Sequence, residues 1–328
     1  MAHELTMVDG QAQMAYVGDT PWHGLGVPVQ AGISPQEMMD VAGLNWHVKK
    51  TPLMYDIDEL TRTHVPSQSA LIVEETGQFL SVVGNDWNPI QNHEAFELFN
   101  EFCENGDMEM NTAGSLKDNQ IVWGLAKVKK SFSLKTPQGE DIVDSYFLFS
   151  NPHQFGRAAD VRFTPIRVVC NNTLTLSLSS KSQASVKVSH RTAFDKDSVL
   201  SMLGLADQKM DTYQEAAELL VSKRANQEDL VKYFNEVFPN TYKAKVEKSA
   251  KKFEETLSKT AKKALNVLET QPGAELGAGT WWSAFNAATY LVDHEIGRGV
   301  DTRLQSAWFG QGQQKKTKAL MLATEMAS

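Results

Sequence analysis

The chain has 328 residues, of which 41% are hydrophobic and 22% are charged, and it carries a net charge of −8. This composition is typical of a folded globular protein, and no run of about eighteen apolar residues is present to span a bilayer. We therefore expect a soluble protein without a membrane partner. The acidity argues against a generally basic nucleic-acid-binding protein, but a local basic patch is sufficient for electrostatic binding.

Cysteine content and the N-terminal segment bear on the cellular compartment. Cys103 and Cys170 are the only cysteines in the chain, too few for a disulfide framework. The N-terminal segment MAHELTMVDGQAQMAYVGD has neither a basic start nor an apolar core, so the sequence gives no sign of a secretory signal. Both observations favour a reducing cytoplasm.

The N-terminal part begins with an irregular segment. Residues 15–30 contain three glycines and two prolines, which predict loops rather than regular structure. Ser34 is placed to cap a helix that begins at Pro35 and ends near Gly43. The apolar contacts of this helix are expected from Met38, Met39 and Val41.

Strands and one helix are predicted between residues 46 and 151. WHVKKTPLMY, SALIVEE and GQFLSVVG read as three strands separated by turn-forming residues. A helix is predicted next, with apolar side chains at helical spacing before Gly106: Ala95, Phe96, Phe99 and Cys103. Two further strands are predicted at MEMNTAGSLKDNQIVWGLAKV and EDIVDSYFLFSN.

The stretch 162–180 combines a strand signal with a turn. Residues 163–170 predict a strand, because Pro165 disfavours helical geometry before it and β-branched residues follow. Asn171 and Asn172 favour a helix cap, so we expect a helix after them. Three leucines that alternate with polar residues leave a strand as the alternative: Leu174, Leu176 and Leu178.

Helical spacing dominates from residue 195 to about residue 268, where glycine and proline become rare. We predict an α+β protein in which residues 1–195 form a mixed or antiparallel sheet core, crossed by a helix and preceded by the irregular N-terminal segment. Residues 196–328 are predicted to be helical and to pack back onto this core. The basic helix from Lys243 to Lys263 is either a solvated face or a second contact surface.

Several segments together resemble a family of phage- and plasmid-encoded proteins that is catalogued as a domain of unknown function. They are PWHGLG at 21–26, LSVVGNDWNPIQNHEAF at 80–96, FTPIRVVCNNTL at 163–174, and TWWSAFNAATYLVDH with AWFGQG near the C-terminus. The loop NPHQFGR at 151–157 departs from the family pattern, in which a more acidic loop is expected. The resemblance implies a bacterial mobile genetic element and a bacterial cytoplasm, but it implies no activity.

Proteins of mobile elements include single-strand annealing proteins, which this layout resembles in outline. The first hypothesis is therefore a protein that binds or anneals single-stranded DNA in recombination or replication, without a cofactor and with further copies of the chain as possible partners. Such binding needs cations for phosphates beside exposed rings for base stacking. The candidate residues are Arg157, Arg162, Arg167, Lys181, Lys187 and Arg191.

An enzyme is the second hypothesis. Cys170 could serve as a thiolate nucleophile with His153 or His190 as its base, although a buried inert thiol is the simpler interpretation. No metal-ligand spacing is present. On the C-terminal helix a polar or metal site and ordinary core hydrogen bonding are both compatible with three residues: Asn286, Asp293 and His294.

A non-catalytic interaction protein is the third hypothesis. Its interface would consist of aromatic residues near the C-terminus, because aromatic side chains dominate interface energetics. These residues are Trp281, Trp282, Phe285 and Tyr290. Trp282, Phe285 and Val292 lie along one apolar stripe at helical spacing, which favours burial in the core.

Overall fold

The computed structural model describes residues 5–21, 24–104, 106–167, 172–173, 187–188, 196–240, 257–297 and 303–328. Strands dominate up to residue 167, and helices dominate from residue 196 onward. The predicted α+β class is confirmed.

The described residues form two compact units. The first lies within residues 1–129, 146–163 and 177–205, and the second lies within residues 130–145, 164–176 and 206–328. The predicted boundary at residue 195, and the packing of the helices onto the strand core, stay predictions.

Short strands open the first unit. β1 (Met7–Val8) and β2 (Gln11–Ala12) pair antiparallel with each other. β3 (Met14–Val17) pairs in parallel with β4 (Val27–Val29) and antiparallel with β8 (Met108–Leu116). The larger sheet is therefore mixed.

Helix α1 (Pro35–Val41) begins where the sequence predicts. The Glu37 backbone N–H donates to Ser34 Oγ, and the Ser34 N–H donates to the Glu37 carboxylate, which forms a capping box. The two methionines predicted to contact the core are buried. The prediction for Val41 is wrong, because this residue at the end of the helix faces solvent.

A three-stranded antiparallel sheet follows, formed by β5 (Val48–Asp56), β6 (Arg62–Val73) and β7 (Phe79–Gly84). β7 pairs only with residues 68–72 of β6, so the β5–β6 hairpin continues past β7 as two strands. We call residues 54–64 the arm. The sequence predicted a strand only from Ser69, so the arm was not expected.

Helix α2 (Asn92–Glu104) is confirmed, and its Phe96 and Phe99 are buried. The next segment was predicted to be one strand, and the structure contains two, β8 and β9 (Ile121–Thr136). They are joined at residues 117–120.

The β8–β9 connection is a left-handed turn built without glycine. Lys117, Asp118 and Asn119 have φ angles of 55°, 52° and 68°, a conformation that side chains other than glycine rarely adopt. The Asn119 N–H donates to Thr6 Oγ1 at 2.9 Å, and the Asn119 side-chain amide donates to Gln78 Oε1 at 3.0 Å. Hydrogen bonds from distant segments therefore hold the turn.

The eight-stranded sheet continues through β10 (Gly139–Pro152) and β11 (Ala159–Arg167). Its order is β12-β11-β10-β9-β8-β3-β4, and β13 pairs with β11 as well. β12 (Asn172–Thr173) and β13 (Lys187–Val188) are antiparallel to opposite ends of β11. The strand predicted over 163–170 is thus confirmed as far as residue 167.

A helix cap was predicted at Asn171 and Asn172, with a helix after them, and this is wrong as far as Thr173. Thr173 pairs with Ile166, and Asn172 pairs with Arg167, so both residues extend the sheet instead. Residues 174–186, which include the three alternating leucines, lie outside the described residues.

Helices make up most of the second unit. They are α3 (Lys196–Ser222, which begins in the first unit), α4 (Gln227–Val237), α5 (Lys259–Thr270), α6 (Trp281–Tyr290), α7 (Arg303–Phe309) and α8 (Gln311–Ala327), with a π-helix (Leu291–Glu295) directly after α6. Trp281, Trp282 and Phe285 are buried, which confirms that they belong to the core. Of the predicted basic helix, α5 contains residues 259–263, and residues 243–256 lie outside the described part.

Candidate nucleic-acid interface

The turn between β10 and β11, residues 153–158, presents an aromatic ring and a cation to solvent. Phe155 is 68% exposed, and Arg157 is exposed as well. Gly156 between them has a φ of +74°, which glycine adopts readily. A ring on which a base can stack therefore lies two residues from a guanidinium that can bind phosphate.

His153 anchors the start of this turn in the first unit. Its backbone N–H donates to the Gln120 carbonyl at 2.8 Å. Its buried ring lies edge-on to the Trp46 ring, with 5.4 Å between centroids. Asn92 Nδ2 donates to the Leu44 carbonyl at 3.0 Å, so Asn92 Oδ1 is an acceptor for His153 Nε2 at 3.2 Å. His153 Nε2 therefore carries a proton, and the ring has a structural role here.

Two further contacts brace the exposed part of the turn. The Gln154 side-chain amide donates to the Gln120 side-chain oxygen, and Gln120 Nε2 donates in turn to the Leu80 carbonyl at 2.8 Å. The Phe155 N–H donates to Ser81 Oγ at 3.4 Å. The exposed ring thus projects from a backbone that is tied to neighbouring segments.

Arg162, the second predicted contact, lies in β11 with most of its side chain buried. Its Nε and Nη2 donate to Asp160 Oδ2 at 3.0 and 2.6 Å, and Ser150 Oγ donates to Asp160 Oδ1 at 2.8 Å. The Asp160 carboxylate offsets the guanidinium charge. Arg162 is therefore less available to a phosphate than the exposed Arg157.

The other predicted residues are placed only in part. Arg167 lies at the end of β11, and Lys187 in β13 is the register partner of Asp160. The structure therefore brings the backbones of Arg162 and Lys187 to neighbouring strands. Lys181 and Arg191 lie outside the described residues, as do Cys170 and His190.

The C-terminal polar residues take part in core contacts. Asn286 Nδ2 donates to the Trp282 carbonyl at 2.9 Å, and the His294 ring lies 4.7 Å from the Tyr290 ring. Asp293, in the π-helix, pairs with Lys316 of α8, with 2.6 Å between Oδ1 and Nζ. Both side chains are buried, so these contacts favour the core interpretation.

Sequence reasoning missed Lys316, although helical spacing places it on the same face of α8 as the buried Ala319 and Ala323. Burial lowers the pKa of Lys316, and the Asp293 carboxylate opposes that shift. Sequence reasoning also missed Phe155, for which the adjacent Gly156 is the only local signal.

The nucleophile of the enzyme hypothesis, Cys170, lies outside the described residues, so that hypothesis stays a prediction. Among the described residues, no group of three or more His, Cys, Asp or Glu side chains is placed to hold a metal ion. Burial raises the pKa of the Cys103 thiol, which keeps it protonated near neutral pH. In this part of the chain no helix has both the length and the apolar character needed to cross a bilayer.

Comparisons with known proteins give a family but no activity. A family model described as a domain of unknown function, DUF932, matches residues 79–321, well over half of the chain. Searches of curated proteins and of solved structures found no match.

Proposed function

We propose, starting from the fact that this chain belongs to the DUF932 family of domains of unknown function, that it binds single-stranded nucleic acid. In this proposal it is a non-catalytic accessory protein of a phage or plasmid that serves DNA recombination or replication in a bacterial cytoplasm. The observation that carries the proposal is the exposed pair of Phe155 and Arg157 on a braced turn.

The pair supplies the two interactions that single-stranded recognition requires. Stacking of one base on an aromatic ring contributes about 1–3 kcal/mol and does not depend on the base. The Arg157 guanidinium can bind an adjacent phosphate through several donors at once. Single strands are favoured over duplexes because a paired base cannot turn its face toward Phe155.

The surroundings of the turn support a preformed site. His153, Gln154 and the Phe155 N–H are all hydrogen-bonded to other segments, so little backbone freedom is lost when DNA binds. In the proposal the other predicted cations add phosphate contacts: Arg162, Arg167, Lys181, Lys187 and Arg191. Annealing would further require that copies of the chain assemble along the strand.

The test is binding of fluorescent single-stranded and duplex DNA at several salt concentrations. Phe155→Ala and Arg157→Ala should each weaken binding of single strands about tenfold. Arg157→Ala should also reduce the slope of log K against log salt by about 0.7, because one phosphate contact is lost, whereas Phe155→Ala should leave the slope unchanged.

Matched controls are available on the same unit. Tyr55→Ala removes another exposed aromatic ring, and Arg62→Ala removes another exposed arginine; both should bind DNA like the wild type. Absence of binding at low salt, or equal losses in the control variants, would overturn the proposal.

A further inference from the structure

The arm, residues 54–64, is an extension with no core of its own. Its strands pair Met54 with His64, Tyr55 with Thr63 and Asp56 with Arg62, and β7 does not reach them. Both faces of the arm are largely exposed. A two-stranded hairpin alone is only marginally stable in water, so an arm of this kind gains most from contact with a partner.

The tip of the arm is nevertheless ordered. Asp58 Oδ1 accepts the N–H groups of Leu60 and Thr61 at 2.9 and 2.8 Å, and the Ile57 N–H donates to the Thr61 carbonyl at 2.8 Å. Hydrogen bonds from the Leu60 N–H, and then from the Thr61 side chain and N–H, lower the pKa of Asp58. A tip that is fixed before binding loses little conformational entropy on docking.

Apolar side chains are concentrated at this tip. Leu60 is 97% exposed and Ile57 is 61% exposed, and Met54 and Tyr55 beside them are about half-exposed. Single exposed apolar residues are ordinary, but several on one exposed hairpin are typical of an interaction site. Ile57 and Leu60 are thus the natural anchors.

Charge narrows the class of partner. The tip carries Asp56, Asp58 and Glu59 against a single cation, Arg62. Three carboxylates around the anchors repel phosphate groups, which disfavours both nucleic acid and anionic lipid surfaces. The complementary surface is an apolar pocket with a basic rim.

Prolines on both strands argue against docking by strand addition. Pro52 lies in β5, an edge strand, and Pro66 lies in the part of β6 that has passed the end of β7. Proline lacks the N–H that a new strand would pair with, and it commonly protects sheet edges. Docking through the side chains of the tip is therefore the mode of contact that fits this hairpin.

We propose that Ile57 and Leu60 of the arm insert into an apolar pocket, rimmed by lysine or arginine, on a partner protein. Asp56 is ion-paired with Arg62 across the hairpin, with 2.8 Å between Oδ1 and Nε, behind the anchors. Glu59 and Asp58 face the basic rim of the pocket and set the orientation of docking.

The partner is identified by covalent capture and then measured directly. The full chain carries a photoreactive phenylalanine analogue at position 60 or, as a control, at Met321, an equally apolar exposed position on α8. Cells that naturally carry the gene are irradiated, and the protein captured from position 60 but not from position 321 is purified. Its affinity for the wild-type chain and variants is then determined.

Leu60→Asp should weaken binding of the purified partner at least about tenfold, as expected for a buried anchor. Glu59→Lys should also weaken binding of the partner, and this loss should grow as salt is lowered. Met321→Asp should bind the partner like the wild type. DNA binding by Leu60→Asp should be unchanged, which separates this surface from the turn at 153–158.

Other outcomes overturn the proposal. These are capture of no protein from position 60, equal capture from both positions, or a captured partner whose affinity is unaffected by Leu60→Asp. Capture of the chain by itself, or tip-dependent binding to anionic vesicles or DNA, would replace the partner protein with a different occupant.

Discussion

Two ion pairs of similar length lie in opposite environments. Asp293 pairs with Lys316 in the second unit, and Asp56 pairs with Arg62 on the arm. The first pair is 2.6 Å long and almost completely buried, and the second is 2.8 Å long with about two thirds of each side chain exposed. Burial makes each charge of the first pair depend on the other, whereas water can replace either partner of the second. Similar distances therefore predict very different consequences of mutation.

The largest effect is expected from Lys316→Met. This change leaves the Asp293 carboxylate buried without the Lys316 charge, which should lower the free energy of unfolding by about 3–5 kcal/mol. Urea denaturation of the full chain measures it. The double variant Lys316→Met with Asp293→Leu should recover most of the loss, and a double variant as unstable as the single one would contradict this account.

A smaller loss is expected where a buried neutral donor meets a buried carboxylate. Trp282 Nε1 donates to Asp141 Oδ2 at 2.7 Å within the second unit. Trp282→Phe should lower the free energy of unfolding by about 1–3 kcal/mol, because a buried acceptor loses one donor. A double-mutant cycle with Asp141→Val should show coupling, and strictly additive effects would argue against this bond.

The buried pair should also make stability depend on pH. The pKa of Lys316 is lowered in the folded protein from its ordinary value of 10.5, so the unfolded chain binds more protons between the two pKa values. Stability should therefore rise with pH across that window. The free energy of unfolding is measured at pH values up to 10 for the wild type and for the Lys316→Met, Asp293→Leu double variant. The wild-type value minus that of the double variant should rise with pH. A difference that falls with pH would contradict the prediction.

The smallest effect is expected on the arm. Arg62→Ala removes an exposed partner of Asp56 and should change the free energy of unfolding by less than about 1 kcal/mol, with the remainder screened by salt. Parallel denaturation in low and high salt tests this. A loss as large as that of Lys316→Met would show that the arm is packed against something in solution.

The sequence predicts best where a pattern is local. Ser34, Pro35 and Glu37 specify the start of α1 through adjacent side chains, and the apolar stripe of α6 follows from helical spacing. The arm was missed because Pro66 and several polar residues interrupt the strand pattern of β6, although the strand begins at Arg62. Local preference was overridden there by pairing with β5.

The candidate site was predicted less completely than the fold. Arg157 was identified by its charge, but the contribution of Phe155 depends on exposure, which a single aromatic residue in a loop does not indicate. Arg162 was given equal weight, because the sequence does not show that Asp160 pairs with it. Lys316 was missed for a related reason, since its partner lies in a separate helix.

The left-handed turn at residues 117–120 affects when the first unit can fold during synthesis. Its hydrogen-bond partners include Thr6, Gln78 and Gln154, so β8 and β9 are adjacent in sequence while their connection is stabilised by segments far away on both sides. A nascent chain that ends before Gln154 lacks part of this support. We therefore expect the first unit to complete its folding only after residue 154 has emerged from the ribosome.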